Sequence, residues 1–329
     1  MIFSLILVFR SDVTLICFQK TLSYALLFLI VPAYLIKLIS EKGEEVIKWI
    51  NYFGLFILLV GLAFYLLGQD IAFLGGRYRG ILGNPNGLGI FSTLLLLFFE
   101  ISRNKFPKLF SKKEMWLIYT VLLLSLVLSQ ARTSLFTVLI FLFFNYLYKY
   151  SAFLGFLIFL MSIFIYQIVL NNIIEIILFL NLEEYFRIET IDEGSGRYVA
   201  WDFAWENIQK NFFIGKGFVF ADDLFHKNYV PLSKMGHQGG VHNSYLNFWL
   251  DTGLVGLILY FVGFFMLFIK AAKRNKAALP IMYAVLFSIT FESWLNSSLN
   301  SFTIIFVMIV TLLFQDNESV SKESHLPIH

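Results

Sequence analysis

His242 and Asn243 stand directly before a long apolar run, in the stretch "GGVHNSYLNFWLDTGLVG". An imidazole with an ordinary pKa of about 6.5 exchanges protons near neutral pH, so His242 is a candidate general base. The alternative is an interfacial side chain bonded to a loop carbonyl. Asn243 is best explained as the N-cap of the next helix. Asp251 and Glu292 are acids within apolar runs, and Asp251 is a candidate to orient His242 or a neighbouring span.

Arginines next to apolar segments form a second set of candidate residues. Arg79 (with Arg77) lies in "GGRYRGILGNPNGLG", Arg132 in "SQARTSL" and Arg197 in "GSGRYVAW". A guanidinium binds phosphate oxygens in a bidentate manner and keeps its charge at any relevant pH. Several arginines near a membrane surface would suit a lipid-linked pyrophosphate and would stabilise its charge as it leaves. For Arg132, the alternative is a turn residue whose side chain reaches the lipid headgroups.

A metal site is a weaker possibility. His226, His237, Asp222 and Asp223 occur in one loop, but their spacing matches no regular ligand pattern. The single cysteine, Cys17, excludes an intrachain disulfide and a cysteine-based zinc site. We therefore expect neither a metal nor a cofactor.

The composition indicates the environment in which these residues act. Of 329 residues, 58% are hydrophobic and 14% are charged, against about 45–50% and about 25% in soluble domains. Such a chain is typical of a protein in a bilayer. Its basic residues are scattered or lie in short connections, so we expect no nucleic-acid partner.

Long uncharged runs predict an all-α, polytopic membrane protein with about nine transmembrane helices and one large extracytoplasmic loop. The predicted spans are 21–39, 46–67, 87–101, 115–131, 133–148, 151–170, 246–269, 277–295 and 301–315.

Four connections carry most of the lysines and arginines near the spans, and all four fall on one side if every span crosses. The positive-inside rule makes that side cytoplasmic and places residues 171–245 outside. The predicted domains are an N-terminal bundle (1–170), the extracytoplasmic loop (171–245), the C-terminal helices (246–315) and a cytoplasmic tail (316–329).

Within the loop, the apolar stretch from residue 171 favours an interfacial helix. "GRYVAWDFAWENIQKN" (196–211) favours an amphipathic helix, and residues 218–241 are expected to be irregular. The opening "MIFSLILVF" is too short to cross. It is expected to be either an interfacial segment or the tail of a span that begins upstream of Met1.

The motifs together resemble the signature of the O-antigen ligase and polysaccharide polymerase superfamily. In that signature a Gly-Arg pair precedes a Trp-containing helix, a Gly-x-Gly turn follows, and His-Asn stands before a span with Gly-Leu-x-Gly. Residues 79–89 and 129–135 match the upstream elements, so the resemblance covers roughly residues 75–260. The matching residues are Gly196, Arg197, Trp201, Gly215, Gly217, His242, Asn243, Gly253, Leu254 and Gly256.

The resemblance implies a class C, multi-span glycosyltransferase of the bacterial cytoplasmic membrane whose active site faces outwards. Such enzymes take a glycan from an undecaprenyl pyrophosphate carrier, without a nucleotide sugar and, for the ligases, without a metal. Carried over, Arg79, Arg132 and Arg197 bind pyrophosphate and His242 activates the acceptor hydroxyl. Family members commonly have ten to twelve spans, more than are counted here.

The resemblance leaves the acceptor open. The leading hypothesis is a polymerase that joins repeat units of a capsule, exopolysaccharide or O-antigen, with a flippase and a chain-length regulator as possible partners. The nearest alternative is a ligase that transfers finished glycan to lipid A-core or another acceptor. A lipid-linked glycan transporter or flippase is a further alternative. It predicts an inverted repeat or paired broken helices, and the sequence has neither.

Overall fold

The structure is a computed structural model, and it describes residues 2–148, 150, 151, 153–159, 161, 173–179, 196–237, 239–297 and 300–315. Most of the predicted span at 151–170, much of residues 171–195 and the tail after 315 lie outside these residues. Where the structure describes the chain it is overwhelmingly helical, which confirms the predicted all-α class.

The β-structure of the described residues is one antiparallel hairpin of two short strands, each two residues long, in which Phe73 lies opposite Tyr78. The elements are α1 (Ile2–Leu7), α2 (Thr14–Lys42), α3 (Glu45–Leu66), β1 (Phe73–Leu74), β2 (Arg77–Tyr78), α4 (Pro85–Lys105), α5 (Lys112–Leu128), α6 (Arg132–Leu147), α7 (Ile173–Phe179), α8 (Arg197–Lys210), α9 (Phe220–Lys227), α10 (Tyr229–Lys234), α11 (Ser244–Ala272), α12 (Ala278–Phe291) and α13 (Ser301–Phe314).

Four of the described helices are long and apolar enough to cross a membrane: α2, α3, α4 and α11. Helices α6, α12 and α13 are apolar but have only 14 to 16 residues, and α5 has 17. A perpendicular span needs about 20 residues. The protein is therefore a helical membrane protein, while the count of nine spans stays a prediction.

Helix α11 reverses direction at Gly253, which the sequence did not indicate. The rings of Phe248 and Tyr260 stack with centroids 4.2 Å apart, and those of Tyr245 and Phe261 lie 4.9 Å apart. In a straight helix, residues 12 positions apart are separated by about 18 Å along the axis. Residues 244–252 and 254–272 must therefore form two arms of a helical hairpin. The backbone at Gly253 is non-helical, with φ 70° and ψ 179°.

The prediction of one straight span at 246–269 is therefore wrong, because the chain reverses at Gly253. The prediction that these residues are helical is confirmed. The cause lies in the backbone at Gly253. Left-handed φ combined with ψ near 180° is essentially restricted to glycine, and it turns the chain here within a single residue. The hydropathy of this region is that of one long apolar run, so it does not reveal the reversal. His242 consequently precedes the short arm of a hairpin.

The chain divides into two compact units, which are described separately. The Arg132 unit comprises Leu26–Leu142, Ile269–Met282 and Ser301–His329. Its central helix is α4, which packs against α3, α5 and α13 and is almost completely buried. Helix α4 begins with Pro85 after the N-cap Asn84, whose Oδ1 accepts a hydrogen bond from the Gly87 amide at 2.7 Å.

The His242 unit comprises Met1–Ala25, Phe143–Phe268 and Tyr283–Asn300. Helix α8 spans Arg197–Lys210, close to the predicted amphipathic helix. The expectation of an irregular chain at 218–241 was wrong, because α9 and α10 occur there. These helices have only eight and six residues, too few to produce a clear helical period. The core they share with α8 and α11 consists of Ala200, Ala204, Ile208, Ala221, Phe225, Leu232, Val241 and Leu250.

The N-terminal segment packs against this same core region. Leu7 and Val8 are buried, and a Cβ placed on Gly217 would lie 2.6 Å from Cys17 Sγ. Two ion pairs join this segment to the loop. Asp12 pairs with Lys216, just before α9, at 3.0 Å, and Lys20 pairs with Asp222 of α9 at 2.7 Å. Residues 2–20 therefore support the loop that carries the candidate site.

Candidate active site

Arg197 is the first residue of α8, and the turn before it fixes its position. Gly196 has a left-handed backbone with φ 74°, and a Cβ there would lie 2.5 Å from the Gly236 carbonyl oxygen. Glycine is therefore required at position 196 both by the positive φ and by the lack of space for a Cβ. The Arg197 Nη2 donates to Glu292 Oε1 at 2.9 Å, and its guanidinium lies 5.9 Å from the Phe291 ring centroid. Arg197 thus has both an ionic and a cation–π partner.

Glu292 directly follows α12 and contacts both candidate catalytic residues. One carboxylate oxygen, Oε1, accepts the hydrogen bond from Arg197, and the other, Oε2, lies 3.8 Å from His242 Nδ1. Its backbone carbonyl accepts a 2.8 Å hydrogen bond from Ser244 Oγ. The Glu292 side chain is 9% exposed, so both interactions occur in a largely water-excluded environment. The sequence marked Glu292 only as an acid in an apolar run.

His242 lies in a strained turn directly before α11. Its φ of 50° is left-handed, a conformation that a few per cent of non-glycine residues adopt. Its side chain is 31% exposed, so the imidazole remains reachable. Asn243 Oδ1 accepts a hydrogen bond from the Leu246 amide at 3.0 Å, as expected for the N-cap.

Gly239 lies against Nε2 of His242, the ring nitrogen other than the one that faces Glu292. A Cβ at position 239 would lie 2.8 Å from His242 Nε2, whereas a Cβ at Gly240 or Gly236 would have no neighbour within 4 Å. Any side chain at 239 would therefore obstruct the nitrogen that does not face Glu292. The sequence gave no reason to separate Gly239 from the adjacent glycine.

His237 supports the same turn from inside. It is 1% exposed, its ring lies edge to face with that of His242 at 5.7 Å, and its Nε2 lies 3.0 Å from the Gly240 carbonyl. Burial, followed by the proximity of His242, lowers the pKa of His237 below its ordinary 6.5. A neutral His237 therefore packs beneath the loop.

The acids that might have joined histidines in a metal site have other partners. Asp222 pairs with Lys20, and Asp223 pairs with Lys227 at 2.6 Å. Among the described residues, no group of three histidine, cysteine or acidic side chains is arranged to hold a metal ion.

The tip of the α11 hairpin is joined to the Gly-x-Gly turn by backbone contacts. The amides of Leu254 and Val255 donate to the carbonyls of Phe212 and Phe213 at 2.9 and 3.2 Å. A Cβ at Gly253 would lie 2.4 Å from the Phe213 carbonyl oxygen, and one at Gly215 would lie 2.4 Å from that of Asp251. The two backbones pass so closely that neither position accepts a side chain.

Asp251 belongs to this junction. Its carboxylate is fully buried and accepts a 2.8 Å hydrogen bond from the Ala221 amide in the first turn of α9. Its backbone carbonyl accepts another from the Gly217 amide at 2.7 Å. Asp251 therefore binds the backbone of the loop, about two turns along the short arm from His242, and its predicted role in orienting His242 or a neighbouring span stays a prediction. Gly256 packs within the same hairpin, where a Cβ would lie 2.3 Å from that of Thr252.

Arg79 and its neighbour Arg77 lie in the Arg132 unit and bind backbone. Arg79 donates to the carbonyls of Ile71 and Gly83 at 3.0 and 3.2 Å and is half-buried. Arg77 Nη2 donates to the carbonyls of Ser129 and Gln130 at 2.9 and 3.1 Å. The hairpin that carries both arginines is therefore held to the turn before Arg132.

Arg132 is the first residue of α6 and is half-buried. The turn before it packs tightly on α4, since a Cβ at Gly89 would lie 2.4 Å from that of Ala131 and 2.6 Å from Ser134 Oγ. This contact explains why the "NPNGLG" and "SQARTSL" elements occur together. A cation at a helix N-terminus also opposes the helix dipole, so this position would favour a bound anion.

Four sequence-predicted residues therefore fall in two places. Arg197 and His242 come together at Glu292 in one unit, while Arg79 and Arg132 lie in the other, where the hairpin and the turn are joined through Arg77. The sequence marked Glu292 without assigning it to the site, and it missed Phe291 and Gly239.

A family model described as O-antigen ligase matches residues 117–261. The matched segment includes Arg132, Arg197, His242 and both glycines of the backbone junction, and Arg79 lies before it. No curated protein and no solved structure matches the chain. Over residues 117–261 the chain is similar to the O-antigen ligase family, and this match confirms the predicted resemblance to the O-antigen ligase and polysaccharide polymerase superfamily.

Proposed function

We propose that this membrane enzyme transfers an oligosaccharide repeat unit from an undecaprenyl pyrophosphate carrier to the hydroxyl of a growing glycan. The bond between the anomeric carbon and the pyrophosphate oxygen breaks, and a bond from that carbon to the acceptor oxygen forms. The acceptor proton passes to His242, and the carrier pyrophosphate leaves with the electron pair. No metal or cofactor takes part in these steps.

The observation that carries the proposal is the position of Glu292 between Arg197 and His242. A carboxylate that faces Nδ1 stabilises the imidazolium formed when Nε2 accepts a proton. The same carboxylate holds the Arg197 guanidinium beside the base. An arginine there would bind the pyrophosphate and stabilise the charge that develops as it leaves.

Arg79 and Arg132 are proposed as further pyrophosphate-binding residues. Arg132 is supported by its place at the first turn of α6, and Arg79 by its place beside the hairpin that Arg77 holds to the turn before Arg132. We place the active site on the outer face of the bacterial cytoplasmic membrane, on the basis of the distribution of lysine and arginine in the connections.

A ligase that transfers finished glycan uses the same chemistry with another acceptor, and the description of the matching family favours it as the second candidate. A genetic experiment tests the shared chemistry and separates the two. In cells that lack the gene, Arg197→Ala and His242→Ala variants should accumulate lipid-linked glycan and make no mature product, at normal protein level. Accumulation of single repeat units indicates a polymerase, whereas accumulation of long lipid-linked chains indicates a ligase. Normal product in both variants would contradict the catalytic assignment.

A further inference from the structure

Helix α8 carries three aromatic side chains on one face, which we call the aromatic stripe: Tyr198, Trp201 and Trp205. Their spacing of three and seven residues places them in line, over a length of roughly 10 Å. The two end rings are open to the outside, since Tyr198 is 52% and Trp205 is 41% exposed. Exposed aromatic rings at both ends of this row, joined through a half-buried Trp201, require an explanation.

The stripe begins at the candidate active site. Trp201 Nε1 donates to the Val241 carbonyl at 3.1 Å, directly before His242. The Trp201 ring lies 6.2 Å from Phe291, the ring over which the Arg197 guanidinium is placed. The Tyr198 ring lies edge to face with that of Trp201 at 5.9 Å. A ligand on the stripe would therefore extend from the reacting groups.

The far end of the stripe is rigid. Trp205 lies edge to face with Trp249 at 5.4 Å and close to Phe212 at 6.4 Å. Trp249 Nε1 donates to the Phe212 carbonyl at 3.0 Å, and Phe212 belongs to the backbone junction with the α11 hairpin. The stripe is thus a fixed surface, which binds a ligand without the entropic cost of ordering it.

The chemistry of the stripe suits a saccharide. A pyranose ring has an apolar face of C–H groups and a rim of hydroxyls, and tyrosine and tryptophan combine an apolar ring with one polar atom. Among the described residues, no hydrogen-bond partner is found for the Tyr198 hydroxyl or the Trp205 Nε1. Both remain available to sugar hydroxyls at the two ends of the stripe.

A membrane–water belt is the competing account, because tryptophan and tyrosine collect at that boundary. The indole N–H groups of Trp201 and Trp249 argue against it, since both donate to carbonyls of the same chain instead of facing headgroups. Continuity with Arg197 and His242 also favours a ligand that reacts there.

We propose that the aromatic stripe is a saccharide subsite that stacks sugar rings of the glycan next to the Arg197–Glu292–His242 cluster. This inference rests on the proposed function. It concerns recognition of the sugar part of the substrate, which none of the arginines provides.

The test uses a probe that has neither pyrophosphate nor lipid. Mild acid releases the free oligosaccharide from the lipid-linked glycan that accumulates in cells lacking the gene. Its binding to the purified full-length protein in nanodiscs is followed by saturation-transfer NMR. Tyr198→Ala and Trp205→Ala should each weaken binding by roughly three- to tenfold. Tyr198→Phe and Trp205→Phe keep an aromatic ring but lose the polar atom, so they should bind more tightly than the alanine variants and less tightly than the unaltered protein.

Control variants distinguish a failure of the saccharide subsite from a failure of the proposed catalysis. Tyr229→Ala removes a similarly exposed ring (48%) from α10, away from the stripe, and should not alter binding. Arg197→Ala and His242→Ala should bind the free saccharide normally while losing transfer. Because Trp205 also packs on Trp249, Tyr198→Ala decides the test if Trp205→Ala does not fold.

Two results would overturn the inference: equal binding by Tyr198→Ala and the unaltered protein, or no binding by the unaltered protein. A reduced amount of both alanine variants in the membrane, with normal saccharide binding, would instead identify a lipid-interface role. Retained transfer in the Arg197 and His242 variants, with binding lost in the stripe variants, would refute the proposed catalysis and leave the subsite standing.

Discussion

Glu292 Oε2 lies 3.8 Å from His242 Nδ1, while Oε1 of the same carboxylate accepts a 2.9 Å hydrogen bond from Arg197. Residues 50 positions apart in the sequence thus form one cluster, in which a single buried carboxylate positions a candidate base and a candidate phosphate ligand.

Glu292→Gln should lower kcat on the order of 100-fold, because the imidazolium formed during transfer loses its counter-charge. Single-turnover transfer in proteoliposomes measures the effect, with KM determined separately. Glu114→Gln is the matched control, since Glu114 pairs with Lys48 at 3.0 Å in the other unit and should leave kcat unchanged. A normal kcat in Glu292→Gln would reduce Glu292 to a structural residue.

Gly239→Ala should slow transfer, because its Cβ would displace the His242 ring at Nε2. Some loss of stability is expected as well, because the backbone at Gly239 has φ 122°. Two neighbouring glycines separate obstruction from backbone strain. Gly236 also has a positive φ, 86°, but a Cβ there would have no neighbour within 4 Å. A Cβ at Gly240 would likewise have no neighbour, and the φ of Gly240 is not positive. Gly236→Ala and Gly240→Ala should therefore retain most activity. Equal losses in Gly236→Ala and Gly239→Ala would show that strain alone is responsible.

Gly253→Ala should destabilise the protein, because alanine adopts the turn conformation at a cost of about 1–3 kcal/mol and its Cβ would also collide with the Phe213 carbonyl. Thermal unfolding in detergent measures the loss. Gly263→Ala, in the long arm of the same hairpin with nothing within 4 Å, should be neutral or slightly stabilising. Equal melting temperatures for the two variants would contradict the hairpin turn.

The stability of the His242 unit should fall as the pH is lowered below about 6.5. His237 has a lowered pKa in the folded protein, so the unfolded chain binds its proton first, at the ordinary 6.5. The stability is full above that value and is lost progressively as the pH falls towards the folded-state pKa. Melting temperatures between pH 7.5 and 5.5 test this. The melting temperature of His237→Gln should depend less on pH than that of the unaltered protein. His226 is an exposed residue of α9, so the melting temperature of His226→Gln should depend on pH as that of the unaltered protein does.

The sequence predicted those features that depend on neighbouring residues. The helix after Gly196 and the cap at Asn243 follow from local patterns. Gly215 and Gly253 were singled out only by the family resemblance, because the need for glycine there comes from two backbones that pass closely although they are distant in sequence. The reversal of α11 could not be predicted, because hydropathy reports the length of an apolar run and not its direction. The pairing of Glu292 with His242 depends on that reversal: Tyr245 and Phe261 stack across the hairpin, and Ser244 binds the Glu292 carbonyl.

The most direct test of the account is the pH dependence of single-turnover transfer by purified protein in proteoliposomes, using lipid-linked glycan as donor. With His242 as general base, the unaltered protein should lose rate at acidic pH as the imidazole is protonated. His242→Ala should be slower by a factor on the order of 10² to 10⁴ and should lack this acidic limb. A His242→Ala variant that transfers glycan at the normal rate, with the same acidic limb, would contradict the account.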